Sequence, residues 1–303
     1  MLQQNIDDVT VCICTYKRPE LLEDLLSALQ DQQTGGLFRF SILIVDNDSL
    51  CSAESIVLSF ARKSTINIGY YVEQIQNISL ARNKAIQNAK GDFIAFIDDD
   101  EIPEKKWLYS LYQTLHHFNA HAVLGPVLPY YKVPPPKWVI KGKFYERPTY
   151  KTGFKIDWRK GRTGNLLVKK EIFQATGELF DPNFGSGGED QDFTRRMIQK
   201  GFVFVWCNEA RAYEIVPPIR WNRVFMVKRA LLRGKMSLRY PTSRFIMLIK
   251  SILAIPIYAM ALPLLFVLGQ HLFIQYLIKI FDHIGRILAL INLDIISQKY
   301  ITH

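Results

Sequence analysis

Residues 93–101 read Phe-Ile-Ala-Phe-Ile-Asp-Asp-Asp-Glu, so that five apolar residues run directly into four acidic ones. A short apolar run rich in Ile and Phe is typical of a β-strand. In open α/β sheets, ligands bind beyond the carboxyl ends of the strands. This stretch therefore predicts a strand that delivers several carboxylates to the functional edge of a sheet.

Similar apolar runs alternate with helical patterns in the first part of the chain. Further strands are predicted at residues 9–14, 40–45, 68–72 and 120–124. Helices, with apolar residues at three- and four-residue spacing, are predicted at residues 20–33, 53–63, 80–90 and 104–118. This alternation predicts parallel strands joined by right-handed crossovers, hence a doubly wound, Rossmann-like α/β fold. Residues 161–168, 180–192 and 202–206 are expected to extend it as a mixed sheet.

Polar residues follow each of the first four predicted strands, and none of these segments resembles a glycine-rich phosphate loop. After the first strand the sequence reads Thr15-Tyr16-Lys17-Arg18-Pro19, with no G-x-G-x-x-G and no P-loop lysine. This argues against a dinucleotide dehydrogenase and against a Walker-type NTPase. The other strand ends carry polar residues at 46–49, 76–77 and 98–101.

Asp98, Asp99 and Asp100 form the first candidate site. Adjacent carboxylates repel one another, and a cation would relieve that repulsion. Mg²⁺ and Mn²⁺ take oxygen ligands and commonly bridge carboxylates to a substrate diphosphate. Along a strand, Asp98 and Asp100 would point to one side and Asp99 to the other. The alternative is a solvated acidic turn that caps the next helix.

The second candidate site is the glycine-rich segment 185–193, Gly-Ser-Gly-Gly-Glu-Asp-Gln-Asp-Phe. Its glycines permit unusual backbone angles and bring Glu189 and Asp190 to the start of an amphipathic helix that runs through Lys200. A carboxylate placed there can take the proton of a hydroxyl nucleophile. The alternative is a purely structural N-cap, a role that we assign to Asp192 and not to Asp190.

Five segments in this order resemble the motifs of family 2 glycosyltransferases with the GT-A fold. The resemblance covers roughly residues 8–235, and finer details, such as the acidic residue after D-x-D, are similar to bacterial exopolysaccharide glucosyltransferases of the succinoglycan type. The segments are Cys14-Thr15-Tyr16-Lys17-Arg18-Pro19, Val45-Asp46-Asn47-Asp48, Ser79-Leu80-Ala81-Arg82-Asn83, Phe96-Ile97-Asp98-Asp99-Asp100-Glu101 and Gly187-Gly188-Glu189-Asp190.

The resemblance implies an inverting transfer from a nucleotide-diphospho-sugar, usually UDP-linked, with Mn²⁺ or Mg²⁺ as cofactor. Asp190 would be the catalytic base, with Glu189 assisting acceptor orientation. Asp100 and Asp98 would bind the metal, and Asp98 would also contact the ribose or metal-bound water. The acceptor side would include Asn165. Independently of the resemblance, Trp138 follows a proline run and is a candidate for stacking on an acceptor sugar, although large aromatic residues are more often packing residues. The implied donor-binding set is Thr15, Tyr16, Arg18, Asp46, Arg82, Asp98 and Asp99.

Two departures from the family pattern change what is expected. Pro217 stands where many membrane synthases have the Gln of a Q-x-x-R-W motif, which argues against processive polymerisation. Glu214 stands near the position where many relatives have a metal-binding His. It is expected either to replace that His as an oxygen ligand or to be a surface carboxylate.

Positive charge is concentrated in the C-terminal part of the chain. The sequence has 38 Lys and Arg against 28 Asp and Glu, a formal net charge of +10. Residues 215–281 contain no acidic residue, so the excess lies there. Within this region, residues 251–278 contain no Asp, Glu, Lys or Arg and are rich in apolar residues. Basic residues beside an apolar segment predict attachment to a membrane, with the body on the cytoplasmic side.

The apolar region divides into two predicted helices. Residues 251–268 approach the roughly 20 residues that cross a bilayer core, and Pro256 and Pro263 make a kinked or re-entrant segment an equal expectation. Residues 273–291 repeat their apolar positions at helical spacing, as in an amphipathic interfacial helix. The alternative is a soluble helical appendage. In the basic region, residues 220–233 are expected to help hold a diphosphate, and residues 235–250 to contact anionic lipid.

These observations predict a catalytic domain at residues 1–235 and a membrane-associated helical region at residues 236–303. Four cysteines without paired spacing, and an N-terminus without an apolar leader, predict a reducing cytosolic location at the inner, or plasma, membrane. The expected partners are a nucleotide sugar, a glycan or lipid-linked acceptor and the membrane, without nucleic acid. The rival functions are a sugar nucleotidyltransferase and an inactive sugar-nucleotide-binding scaffold.

Overall fold

The computed structural model describes residues 6–185, 187–239 and 243–293. Its strands are β1 Asp7–Thr15, β2 Phe38–Asp46, β3 Ile68–Val72, β4 Phe93–Ile97, β5 Glu101–Pro103, β6 Ala122–Leu124, β7 Val127–Tyr130, β8 Asn165–Lys169, β9 Phe204–Trp206 and β10 Ala212–Ile215. Its α-helices are α1 Pro19–Gln30, α2 Glu54–Ala61, α3 Ile78–Asn88, α4 Trp107–His117, α5 Lys137–Lys141, α6 Glu171–Thr176, α7 Glu189–Gln199, α8 Arg223–Met236, α9 Arg244–Leu268 and α10 Gln270–Leu290.

The chain divides into two compact units. The first unit contains the described residues up to Pro129 together with Arg147–Ile215. The second unit contains Tyr130–Glu146 and the described residues from Val216 onward. The predicted catalytic domain of residues 1–235 extends beyond Ile215, and its functional extent stays a prediction.

A seven-stranded mixed sheet forms the centre of the first unit, in the order β3-β2-β1-β4-β8-β6-β9. Strand β1 pairs in parallel with both β2 and β4, and β2 pairs in parallel with β3. Strand β8 runs antiparallel to β4 and β6, while β9 is parallel to β6. A smaller sheet has the order β5-β10-β7. The predicted α/β fold and its mixed sheet are therefore confirmed, and β8 and β9 fall on the predicted segments 161–168 and 202–206. The expectation that residues 180–192 also extend the sheet is wrong, because the described part of this segment forms a 3-10 helix at Pro182–Phe184 and the start of α7.

Alternate residues of β1 enter two hydrophobic clusters, one on each face of the large sheet. Val11 and Ile13 belong to the cluster that contains the apolar face of α1, and Cys12 belongs to the cluster that contains Ala81 and Ala85 of α3. Cys12 and Cys207 are buried, whereas Cys14 and Cys51 are partly buried, and all four thiols are free. Helices on both faces leave the carboxyl ends of the strands as the open edge.

Close packing of α8 and α10 organises the second unit. A Cβ atom on Gly234 would overlap the carbonyl oxygen of Asp282, so the small residue permits this approach. Arg233 reinforces the pair, since its Nη2 lies 2.6 Å from Oδ2 of Asp282. Ile274 and Ile280 are buried on α10, as the predicted amphipathic helix requires.

Helix α9 has the length and composition of a membrane span, with a mean hydropathy of 2.3 in its most apolar window and only 6% of that window buried. Large apolar side chains such as those of Ile252, Met260 and Val267 are exposed, the last at 82%. The helix continues from Arg244 to Leu268 and includes Pro256 and Pro263. The second unit thus exposes an apolar surface that water does not favour.

Candidate active site

The carboxyl ends of β1 and β4 lie side by side because these strands are parallel neighbours. Thr15 donates a hydrogen bond of 2.8 Å from Oγ1 to Oδ2 of Asp99. Nη1 of Arg18 lies 3.1 Å from Oδ1 of Asp99 and 3.5 Å from Oδ2 of Asp100. Burial raises the pKa of Asp99 to about 7, although the charge of Arg18 opposes this shift. Residues predicted from two separate segments therefore share one edge of the sheet.

Asp46 lies at the end of β2 and is fully buried. Its carboxylate accepts hydrogen bonds from the backbone N–H of Asp48 at 3.0 Å and of Ala53 at 2.8 Å, and from the Tyr70 hydroxyl at 3.0 Å. Asp46 therefore shapes the loop after β2, and its contact with a donor stays a prediction. The predicted contact of Tyr16 with the donor also stays a prediction. Its ring is partly buried, and Nζ of Lys17 lies 5.3 Å from the ring centroid.

Arg82 joins the two candidate sites that the sequence predicted separately. It lies on α3 and is only 6% exposed. Its Nη1 is paired with Oε1 of Glu189 at the start of α7, and its Nη2 lies 3.3 Å from Oδ1 of Asp98 at the end of β4. Burial disfavours the charged guanidinium, but these two carboxylates outweigh burial and raise the pKa of Arg82. One buried cation thus holds the D-x-D segment and the Glu-Asp pair together.

The first turn of α7 carries both predicted catalytic carboxylates. Gly188 precedes the helix with a φ of 91°, a backbone angle that favours glycine. Glu189 and Asp190 follow at the positive end of the helix dipole, where negative charge is stabilised. The prediction that Asp192 caps this helix is wrong, because Gly188 occupies that position. Asp192 lies one turn inside and pairs with two arginines, at 2.8 Å each.

Glu189 and Asp190 differ in what they can offer a substrate. Glu189 is 5% exposed and committed to Arg82, while its Oε2 is buried without a partner among the described residues. Burial raises its pKa to about 7. Asp190 is only partly buried, and its Oδ1 accepts a 2.7 Å hydrogen bond from the backbone N–H of Gln191. Burial also raises the pKa of Asp190, which moves it toward the range of a general base.

A second group of buried charges surrounds Arg147. Glu101 of β5 pairs in register with Glu214 of β10, so the two carboxylates lie on neighbouring strands. Nη2 of Arg147 lies 2.6 Å from Oε2 of Glu214. Burial, together with Asp98, raises the pKa of Glu101 well above its ordinary value, while Arg147 opposes the shift. Glu214 is 7% exposed and bound to an arginine, so the expectation of a surface carboxylate is wrong, whereas its role as metal ligand stays a prediction.

The predicted metal can be tested against the ligands present. Among the described residues, no group of three His, Cys, Asp or Glu side chains is arranged to hold a metal ion. Asp98 and Asp100 nevertheless supply two hard carboxylate ligands at the end of one strand. Mg²⁺ is commonly held by one or two carboxylates when substrate phosphates complete its shell. These residues therefore fit a cation that binds together with a diphosphate.

The two residues predicted for the acceptor side have other partners. Asn165 is 1% exposed; its Oδ1 accepts from Nε1 of Trp107, and its Nδ2 donates to the carbonyl oxygens of Pro126 and Ala210. These bonds use both N–H groups of Asn165 and give it a structural role, so its contact with an acceptor stays a prediction. Trp138 belongs to the second unit, where it packs on Phe144 with ring centroids 5.5 Å apart.

Sequence reasoning missed Arg147. It lies at the end of an irregular, proline-containing stretch with no periodicity, and only the fold brings it to the carboxylates of β5 and β10. Glu101 carried a signal, since it follows the three aspartates directly. Glu214 was singled out as a possible metal ligand, but its pairing with Glu101 had no local signal, because it depends on an antiparallel register between distant parts of the chain.

Comparison with known proteins defines the class to which this fold and site belong. The sequence model of glycosyl transferase family 2 matches residues 10–172, more than half of the chain. The chain belongs to glycosyl transferase family 2. This confirms the predicted family and the predicted glycosyltransferase activity.

Among its relatives, the chain is similar to the succinoglycan biosynthesis protein ExoM of Rhizobium meliloti (strain 1021). The two are 35% identical over 228 residues, which cover 75% of this chain and 73% of the relative. The hyaluronan synthase of Pasteurella multocida is 25% identical over 249 residues, which cover 71% of this chain but only 25% of that protein.

Two solved structures support the fold. The mannosyltransferase PcManGT of Pyrobaculum calidifontis, in complex with GDP-Man and Mn²⁺, aligns with a TM-score of 0.67 and 16% identity, covering 96% of this chain and 89% of that one. Residues 1–349 of S. aureus TarS, in complex with UDP-GlcNAc, align with a TM-score of 0.52 and 17% identity, covering 74% and 65%. At these identities the likeness concerns the fold alone, and it agrees with the predicted GT-A architecture.

Proposed function

We propose that this glycosyltransferase moves one sugar from a nucleotide-diphospho-sugar to a lipid-linked or cell-surface glycan, with inversion at the anomeric carbon. The observation that carries the proposal is the position of Arg82 between Asp98 and Glu189. This guanidinium ties the strand end that is expected to hold the donor to the helix start that is expected to receive the acceptor. The two halves of a transfer site are thereby held at a fixed separation.

Asp190 is the proposed base. An acceptor hydroxyl gives its proton to the Asp190 carboxylate while its oxygen forms a bond to the anomeric carbon of the donor sugar. The bond from that carbon to the phosphate oxygen breaks, and its electron pair leaves with the nucleoside diphosphate. A single displacement of this kind inverts the anomeric configuration. Glu189 orients the acceptor, because its buried Oε2 can accept a hydrogen bond from a second hydroxyl.

The donor is proposed to be UDP-linked and to bind at the carboxyl ends of β1, β2 and β4. TarS was solved with UDP-GlcNAc and PcManGT with GDP-Man, so relatives of this fold bind donors with either base. On this chain, Thr15 and Arg18 hold Asp99 in place at the strand ends. Tyr16 offers a partly buried ring for the base, and Arg82 offers positive charge near the phosphates.

Mn²⁺ or Mg²⁺ is the proposed cofactor, held by Asp98 and Asp100. When bound, the cation would neutralise negative charge that develops on the leaving diphosphate. Asp100 is 6% exposed and already faces Arg18, whereas the side chain of Asp98 is 45% exposed. Asp98 is therefore the more accessible ligand, and Asp100 the more rigid one. Glu214 would join them only if it released Arg147.

Attachment to the cytoplasmic face of the plasma membrane is proposed for the second unit. The exposed apolar residues of α9 and the preceding basic residues support this location, since lipid tails favour the former and anionic head groups the latter. The similarity to a succinoglycan biosynthesis protein agrees with a glycan acceptor.

The proposed function is tested by measuring nucleoside diphosphate release from a panel of nucleotide sugars, with membrane extract as the acceptor source. Reactions contain Mn²⁺, Mg²⁺ or EDTA. We expect turnover of at least one donor with a divalent cation, and loss of that turnover in EDTA and in Asp100→Ala. Turnover that is unaffected by both treatments would refute the metal proposal. Tight donor binding without turnover in any reaction would favour the inactive scaffold.

A further inference from the structure

Arg162 is an arginine of the site that has no carboxylate partner among the residues that the structure describes. It lies between a 3-10 helix at Trp158–Lys160 and strand β8, and it is partly buried. Arg18, Arg82 and Arg147 are each paired with a carboxylate of the site. Within the described parts of the chain, the Arg162 guanidinium makes neither a hydrogen bond nor an ion pair. A guanidinium has five N–H donors, so this side chain has unused capacity to bind an anion.

Two close backbone contacts fix the position of Arg162. On one side, a Cβ atom on Gly161 would overlap the side chain of Thr194, whose hydroxyl donates to the Asp190 carbonyl at 2.8 Å. On the other side, a Cβ atom on Gly164 would lie 2.6 Å from Oε1 of Glu101 and 2.9 Å from Oδ2 of Asp98. The segment is thus held between α7 and the end of β4, which are the two sides of the proposed transfer site.

Both a cation, Arg147, and carboxylates lie near Arg162. Burial lowers the pKa of Arg162, and the neighbouring Arg147 lowers it further. Asp190, Tyr150 and Glu214 act in the opposite direction but do not compensate fully. Glu214 is itself paired with Arg147. An additional anion near Arg162 would therefore relieve both its desolvation and its repulsion by Arg147.

We propose that Arg162 binds a phosphate group of a substrate in the transfer site. This inference rests on the proposed function and adds a binding residue to it. A planar guanidinium matches phosphate oxygens in a two-pronged geometry, which favours a phosphate over a sugar hydroxyl as its partner. The phosphate belongs either to the diphosphate of the donor or to the diphosphate of a lipid-linked acceptor. Both groups carry two or more negative charges.

The test uses calorimetric titration of the full chain with the nucleoside diphosphate that the wild type binds, UDP or GDP, and with the matching nucleoside. A second arm titrates inorganic pyrophosphate into protein that is saturated with the nucleoside diphosphate. The variants are Arg162→Ala and Arg162→Lys. Arg159→Ala is the matched control, because Arg159 is an exposed arginine three residues away that stacks on Trp158 at 4.6 Å.

We expect Arg162→Ala to weaken one of the two titrations by about tenfold or more, as for other charged hydrogen bonds, with Arg162→Lys in between. Weaker diphosphate binding with unchanged nucleoside binding assigns the phosphate to the donor. Weaker pyrophosphate binding in the second arm assigns it to the acceptor. Wild-type affinities in both arms would overturn the inference, provided that thermal unfolding shows the variant to be folded.

The same titrations separate this inference from the proposed function. If the wild type binds neither UDP nor GDP and turns over no nucleotide sugar, the proposed function itself fails, and the inference fails with it. If the wild type binds and turns over donor while Arg162→Ala, Arg162→Lys and Arg159→Ala all behave like it, only the role of Arg162 is refuted.

Discussion

The edge of the large sheet and helix α9 depart from ordinary protein architecture in opposite directions. At the sheet edge, charged side chains are buried, as in Arg82 and Glu189 at 6% and 5% exposure. On α9, large apolar side chains are exposed, as in Met260 at 75% and Val267 at 82%. Burying a charge costs free energy unless it is paired, and exposing apolar surface forgoes the hydrophobic stabilisation of folding. Folding stability alone therefore gives no reason to place charged side chains inside the first unit or apolar side chains on the surface of α9.

This difference between buried charges and exposed apolar side chains indicates which kind of ligand each region can bind. The sheet edge holds charges in fixed positions, which suits a small charged substrate and proton transfer. The apolar stretch of α9 carries no charged side chain from Ser251 to Leu268, which suits a lipid phase. Variants that act on one region and not on the other test this division.

The largest effect is expected at the proposed base. Asp190→Asn keeps the shape of the side chain but cannot accept the acceptor proton, so turnover should fall by about 10²–10⁴-fold. Nucleoside diphosphate affinity should remain near that of the wild type, because the substitution alters no assigned donor contact. Turnover is measured by diphosphate release. Asp157→Asn is the control, since Asp157 is an exposed carboxylate of the same unit. Equal turnover in both variants would exclude Asp190 as the base.

The next effect concerns the stability of the first unit. Arg82→Met leaves Glu189 buried without its cation, and breaking a buried pair in this way typically costs about 3–5 kcal/mol. Urea unfolding at pH 8 measures the loss. Arg82→Met combined with Glu189→Gln should recover part of it, because the unpaired charge is then removed. Arg39→Met is the control, since the exposed pair of Arg39 and Asp8 is expected to contribute about 0–1 kcal/mol. A loss no larger than in the control would contradict the account.

A smaller and separate effect is expected on α9. Replacing Met260 with Gln removes exposed apolar surface that contributes about 1.5–3 kcal/mol when the side chain is buried in lipid. The fraction of protein recovered with membranes after centrifugation should fall at least about tenfold on that basis, while nucleoside diphosphate affinity stays constant. Leu50→Gln is the control, an exposed apolar residue of the first unit. Unchanged recovery would refute lipid contact by α9.

The smallest effect is the pH dependence of stability. Burial raises the pKa of Glu189 to about 7 in the folded chain, above the value of about 4.3 expected when unfolded. The folded state therefore binds more protons, so this group's stabilisation is fully present below about pH 4 and is lost as pH rises through about 7. Thermal unfolding should show a decline over this window that is weaker in Glu189→Gln. The same decline in the variant would show that other groups cause it.

The sequence predicted the sheet well because periodicity reports burial directly. The strands at residues 68–72 and 93–97 match the structure, and polar residues after β1 and β4 do meet at one edge. Sequence spacing does not indicate which side chains form hydrogen bonds or ion pairs with one another. Asn165, predicted on the acceptor side, makes three internal hydrogen bonds that no spacing indicated.

Long-range pairing also limited what could be predicted. Arg82 was expected near the nucleotide, but its bond to Glu189 depends on how α3 and α7 pack, which no local pattern encodes. The Arg147 pair with Glu214 depends likewise on the position of an irregular loop beside β10. Sequence reasoning therefore found the carboxylates of the site together with Arg18 and Arg82, but it missed Arg147 and the pairings that join these charges.

The stereochemistry of transfer tests the central claim most directly. Proton NMR of the transferred sugar in the glycoside product reports whether its anomeric configuration differs from that of the donor. A single displacement assisted by Asp190 predicts a product of inverted configuration, released together with a nucleoside diphosphate. A product of retained configuration would contradict the proposed mechanism at the edge of the sheet.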